Sequence, residues 1–153
     1  GSGTSLLELY ESAPPAAAGR RFINISARGP VTPNRPLIVG FAITGEVPVT
    51  VLIRGAGPAL APFGIPAALP NPQLTLFQGP TPLWDNDNWS SPSASAQALS
   101  DTFTRIGAFG FAANSQDSAM QVTLAPGSYT AVLASPDNSV GTALVEIYEV
   151  PRE

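Results

Sequence analysis

The sequence predicts an all-β chain: a β-sandwich of jelly-roll or immunoglobulin-like type, with seven to eight short strands, one short helix and an N-terminal strand arm. Three observations predict it. Short runs rich in branched and aromatic residues recur between turn formers, and 17 Pro and 14 Gly among 153 residues enforce frequent reversals. Only one stretch has helical periodicity. The third observation is a strand that occurs twice. Thr4-Ser5-Leu6-Leu7-Glu8-Leu9-Tyr10-Glu11 returns 138 residues later as Thr142-Ala143-Leu144-Val145-Glu146-Ile147-Tyr148-Glu149, with five of eight positions identical.

Taken in order, residues 1–11 form the arm and residues 12–20 a Pro/Ala linker, extended at Pro14-Pro15. Residues 21–150 form the sandwich. Gly1-Ser2-Gly3 reads either as a cloning scar or as the true start, and the lack of a signal peptide reads as a mature or trimmed chain. Ile23 and Ile25 alternate with Asn24 and Ser26, the pattern of a half-buried strand. Leu37–Ile43 is continuously apolar and predicts a central strand covered on both faces. Val49, Val51 and Ile53 share one face of the next strand. Residues 55–72, with five prolines, can hold neither a helix nor a ladder of any length, and their Leu60, Phe63, Ile65 and Leu69 predict a lid over one end of the core. Gln73–Phe77 and Leu83-Trp84 predict a hairpin. Past Pro92, Leu99, Phe103 and Ile106 stand at i, i+4 and i+7, which predicts a short helix capped by Ser95. Met120–Leu124, Tyr129–Leu133 and the second copy predict three more strands, separated by the turns Ala125–Ser128 and Pro136–Ser139.

Composition excludes several chemistries. The chain has no Cys, His or Lys, which removes ordinary zinc sites, thiol nucleophiles, Ser-His-Asp machinery, Schiff bases and the phosphate-loop lysine. All seven basic residues are Arg, and the net charge of −4 disfavours a nucleic-acid partner. No apolar run approaches the roughly 20 residues that span a bilayer. The absence of Cys fits either a reducing cytosol or a bacterial secreted protein that does without disulfides, while low charge, abundant Thr, Ser and Asn, and Pro-rich turns point to a secreted or surface location.

Several segments together resemble a repeat found in large, secreted and surface proteins of environmental bacteria, often in tandem. They are Val51–Leu60, Phe63–Pro66, Asn86–Trp89, Val122–Ala131 and Ala143–Tyr148. The resemblance spans residues 21–150. The second half, with Leu74–Phe77, the Asp/Asn loop and Leu124–Tyr129, also resembles the bacterial pre-peptidase C-terminal domain. That resemblance implies a β-sandwich accessory module of secreted enzymes, associated with polymer binding and sometimes with calcium. Neither family supplies a catalytic residue to carry over.

Four candidate sites follow. The arm, with Leu6, Leu7, Glu8, Leu9 and Tyr10, can join a neighbour's sheet by strand addition. If the C-terminal strand fills its own slot, the arm can lie beside it, and a repeated head-to-tail contact gives an open filament. The alternatives are a preceding repeat's last strand or an arm folded back on its own body. Asp85-Asn86-Asp87-Asn88 offers oxygens to a calcium ion, with Asp101 or Asp117 as further ligands, or forms an Asx-rich turn bonded to its own backbone. Trp84 and Trp89 flank that loop and can stack a sugar ring, or belong to the core and anchor the loop. Asn24 and Asn88 match the N-glycosylation pattern, although two matches in a Ser-rich chain are near chance. With 11 scattered acids, a carboxylate-pair hydrolase is not indicated. The expectation is a non-enzymatic extracellular structural subunit that assembles with copies of itself or with neighbouring repeats, without nucleic acid, membrane insertion or cofactor beyond calcium. The alternative is a polysaccharide-binding accessory module.

Overall fold

The computed structural model describes residues 6–9 and 22–152. Eight strands form two antiparallel sheets. They are β1 (Asn24–Val31), β2 (Leu37–Ile43), β3 (Val49–Ala56), β4 (Gln73–Gln78), β5 (Thr81–Asn86), β6 (Ser118–Leu124), β7 (Gly127–Ala134) and β8 (Gly141–Glu149). One sheet has the order β1-β8-β3-β6 and the other β2-β7-β4-β5. One helix, α1 (Ser93–Arg105), links β5 to β6. The predicted sandwich with a single short helix is the architecture observed.

Between the sheets, alternate residues meet in one core. Val51 and Ile53 of β3 and Ala143, Val145 and Ile147 of β8 face Leu74 and Leu76 of β4 and Ala131 and Leu133 of β7. A second core lies on the other face of the β1-β8-β3-β6 sheet. There Leu52 and Ala56 of β3 are covered by Leu99 and Phe103 of α1, together with Leu60, Trp89 and Phe111. The molecule thus has three layers, and β3 is buried from Val51 to Ala56 because it carries apolar residues on both faces. Gly55 makes the close approach of the sheets possible. A Cβ there would lie 2.5 Å from Ser118 Oγ and 2.8 Å from Leu133 Cδ1.

The structure corrects four local expectations. Leu37–Ile43 is not central: β2 is an edge strand that pairs only with β7, and Ile38, Gly40 and Ala42 on its outer face are exposed. The doubly covered strand is β3. Residues 58–63 form a 3-10 helix despite their prolines, since Pro58 stands at its first turn, where no N–H donor is needed. In that lid Leu60 and Leu69 are buried while Phe63 is exposed. A parallel bridge joins Ala68 to Thr142, with Leu69 N–H donating to Thr142 O at 2.8 Å. Ser95 does not cap α1. The helix starts at Ser93, and Ser95 Oγ donates back to Pro92 O at 2.8 Å.

The second copy of the repeated strand is β8, hydrogen-bonded to β1 on one side and to β3 on the other. No strand can lie beside it. The first copy falls in part outside the described residues. Within it, Leu6–Leu9 belong to no strand, and Leu6, Leu7 and Leu9 are 84%, 84% and 66% exposed. The linker at residues 12–20 lies outside the described residues.

Leu133 is fully buried between the sheets. Truncation to Ala should leave a cavity and cost about 2–5 kcal/mol, read as a lowered midpoint in urea unfolding with an unchanged slope.

Candidate functional site

The sequence-predicted residues fall into separate places. Asn86, the last residue of β5, ties the loop together: its Nδ2 donates to Asn88 O at 3.2 Å. Its Oδ1 accepts from Ala119 N–H of β6 at 2.9 Å. Asn88 Nδ2 donates to Asp87 Oδ2 at 3.2 Å, and Ser91 N–H to Asn88 O at 2.9 Å. The Asp/Asn run is thus bonded to itself and to β6, in the manner of an Asx-rich turn. Asp117 is committed elsewhere. It is fully buried and accepts from Gly57 N–H at 2.7 Å, Ala59 N–H at 3.2 Å and Ser115 Oγ at 2.7 Å. It therefore satisfies the open donors at the start of the 3-10 helix. Asp101 is exposed on α1 and accepts from Gln97 Nε2. Among the described residues no three carboxylates come together as a metal site.

The two tryptophans do not share a face. Trp89 is 6% exposed, packs against Phe103 and Phe111, and donates from Nε1 to Ala112 O at 3.1 Å. Trp84 is 44% exposed on the edge strand β5. Asn24 is exposed at the start of β1, whereas Asn88 is half-buried.

Sequence reasoning missed the most unusual group in the chain. Arg54 of β3 is fully buried. Its guanidinium carbon lies 4.4 Å, 4.4 Å and 4.2 Å from the ring centres of Phe103, Phe109 and Phe111. Nη2 donates to Phe109 O at 2.7 Å, and Nη1 lies 3.6 Å from Glu146 Oε2. Glu146 is the register partner of Arg54 across the β3–β8 ladder, so both side chains rise on one face. Tyr148 Oη completes the cluster by donating to Glu146 Oε1 at 2.7 Å. Burial pushes the Arg54 guanidinium below its ordinary pKa, and Glu146 works against that shift. A guanidinium suits such a box, being weakly hydrated and attracted to ring faces. The signal was present in the sequence as one Arg inside a strand otherwise apolar on both faces.

A second missed feature is an asymmetry between the two sides of the sandwich. On the β5–β6 side, Asn86 bonds one sheet to the other. The β1–β2 side is open. A cleft of about 450 Å³ enters between the sheets there, lined by Ile25, Phe41, Ile43, Val49, Val51 and Ile147. Leu9 of the arm stands at its margin.

No family model matches the chain, and no curated protein is similar in sequence. Among solved structures, the crystal structure of the pre-peptidase C-terminal domain of a collagenase from Bacillus anthracis is similar, with a TM-score of 0.49 and 12% identity. The match covers 82% of this chain and 89% of that one.

Two outcomes are expected at the Arg54 cluster. Arg54→Met should cost about 3–5 kcal/mol, because it strands the buried Glu146 carboxylate. The double variant Arg54→Met/Glu146→Leu should recover most of that loss in chemical denaturation. The second outcome concerns alkali. Burial first, and then the hydrogen bond to Glu146, pushes the Tyr148 phenol up to about 12 from an ordinary 10. Below pH 10 the phenol is neutral whether folded or unfolded. Between pH 10 and 12 the unfolded chain releases the proton while the folded chain keeps it, so stability should fall over that window. Denaturation midpoints measured from pH 9 to 12 should drop in the natural chain and drop less in Tyr148→Phe.

Proposed function

We propose that this chain is a non-enzymatic, extracellular structural subunit that joins its neighbours head to tail, with residues 4–11 completing a sheet of the next subunit. One observation carries the reading. The chain holds two copies of one strand, the slot of that strand is filled by β8 on both sides, and the first copy keeps Leu6, Leu7 and Leu9 exposed. Three leucines in four residues lose favourable burial, about 1.5–3 kcal/mol for each side chain fully buried, while they remain in water. A strand that cannot enter its own slot and is too apolar for solvent suits an edge elsewhere. Main-chain hydrogen bonds supply affinity in such a contact, and alternating side chains set the register. The contact uses one surface of the donor and a different one of the acceptor, so it is heterologous, and its repetition gives an open filament or rod. The 12 residues between Leu9 and Phe22 reach roughly 40 Å when extended, enough to bridge adjacent bodies. Composition supports the extracellular setting through its low charge and its many Thr, Ser and Asn residues.

Deleting residues 1–12 tests the reading. The full chain should give large oligomers or filaments in light scattering and negative-stain microscopy, and the shortened chain should remain a folded monomer. If both stay monomeric, or both assemble, the proposal fails.

A further inference from the structure

We infer that the acceptor for the arm is the free edge of β2 together with the cleft beneath it, and that the occupant is Leu6–Tyr10 of a second copy of this chain. The inference rests on the assembly reading above and names its missing half.

Four edge strands are available: β1, β6, β2 and β5. Free edges template unwanted pairing, and natural edges are blunted by charge, proline or cover. β1 carries Arg28 and Pro30. β5 carries Pro82 and Asp85. β6 has neither charge nor proline, but Thr102 Oγ1 of α1 donates to Gln121 Oε1 at 2.8 Å, and Ala119 N–H donates to Asn86. β2, Leu37-Ile38-Val39-Gly40-Phe41-Ala42-Ile43, carries neither charge nor proline and pairs with no second strand among the described residues. It is seven residues long and wholly apolar, and it pairs on one side only. Its composition is that of a strand covered all round, yet its outer face leaves Ile38 60% exposed. A sequence written for a covered strand and placed at an open edge calls for another strand beside it.

The cleft states what that strand must carry. It opens along β2 at Gly40–Thr44, and its apolar lining comes from both sheets. A strand laid along β2 points alternate side chains between the sheets. In the arm those are Leu7 and Leu9, or Leu6 and Tyr10 in the opposite facing. The first choice places two aliphatic side chains in the cleft and keeps Glu8 and the Tyr10 hydroxyl at the outer, wet face. Leu9 of the same chain is among the residues that line the cleft, but Leu6–Leu9 form no ladder with β2 and stay exposed. A second copy approaches β2 without having to turn back from the β1 start at Asn24.

The test uses the full chain. Ile38 and Ala42 are exposed on β2, so Ile38→Lys and Ala42→Lys should leave thermal unfolding unchanged. Each should nevertheless remove the high-mass species in light scattering as completely as deletion of residues 1–12. Arg28→Glu on the β1 edge should leave assembly intact. If the deletion abolishes assembly while both lysine variants still assemble, β2 is not the acceptor and the assembly reading survives. If assembly survives the deletion, or the natural chain is monomeric, both fall. The occupant is tested by Glu8→Cys/Ala42→Cys, two positions on the outer face, in this cysteine-free chain. A disulfide-linked ladder under non-reducing conditions is expected. A disulfide closed within one chain would overturn the second copy as occupant in favour of fold-back.

Discussion

The buried ion pair between Arg54 and Glu146 constrains the rest of this molecule more than any other contact. A guanidinium removed from water costs several kcal/mol unless its surroundings replace the lost hydration. Three rings, one carbonyl and one carboxylate surround it here, drawn from three elements, while Nε and Nη1 of Arg54 make no hydrogen bond. Phe103 comes from α1, Phe109 and Phe111 from the return that follows it, and Glu146 from β8. The charge therefore fixes the helix, the return and the β3–β8 register at once. A one-residue slip of that ladder would turn Glu146 away and leave Arg54 unpaired.

This pair also explains why the fold has a third layer. An ordinary two-sheet sandwich leaves the outer face of each sheet to water. Here the outer face of the β1-β8-β3-β6 sheet carries Leu52, Arg54, Ala56, Glu146 and Tyr148, and α1 with its flanking loops covers it. Trp89, buried and bonded to Ala112 O, belongs to that cover. Asp117 works on the same layer, anchoring Gly57 and Ala59 while its carbonyl accepts from Trp89 N–H at 2.8 Å. The polar residues that attract functional readings in the sequence are therefore largely occupied in holding loops against this face.

The opposite sheet is treated differently. Among the described residues its outer face has no cover, its β5 edge is bonded across to β6, and its β2 edge pairs with no strand beside an apolar cleft. One side of the molecule is thus closed and the other open. The repeated strand adds a reason for the opening: Glu8 and Tyr10 of the arm correspond to Glu146 and Tyr148, the two residues that complete the Arg54 cluster. The arm thus repeats the sequence of β8, whose place between β1 and β3 is already filled.

The sequence by itself determined the strands, the single helix and the sandwich class. Alternation, turn formers and the Leu99/Phe103 stripe are local signals, and burial of one face decides them. It also shows that the sequence of β8 is nearly repeated at residues 4–11. Tertiary structure alone decided which strand is central. Leu37–Ile43 and Val49–Ala56 are both apolar enough for burial on two faces. Only the order of strands, set by pairing between residues up to about a hundred positions apart, puts β3 inside and β2 at the edge. The role of Arg54 was hidden for the same reason. A lone arginine in a strand reads as solvent-facing until α1, the Phe109–Phe111 return and β8 are brought around it, and no local pattern records that meeting. The Asp/Asn loop and Trp89 were legible as residues of interest. Whether they face a ligand or the protein depends on β6 and α1, which lie beyond the reach of any local window.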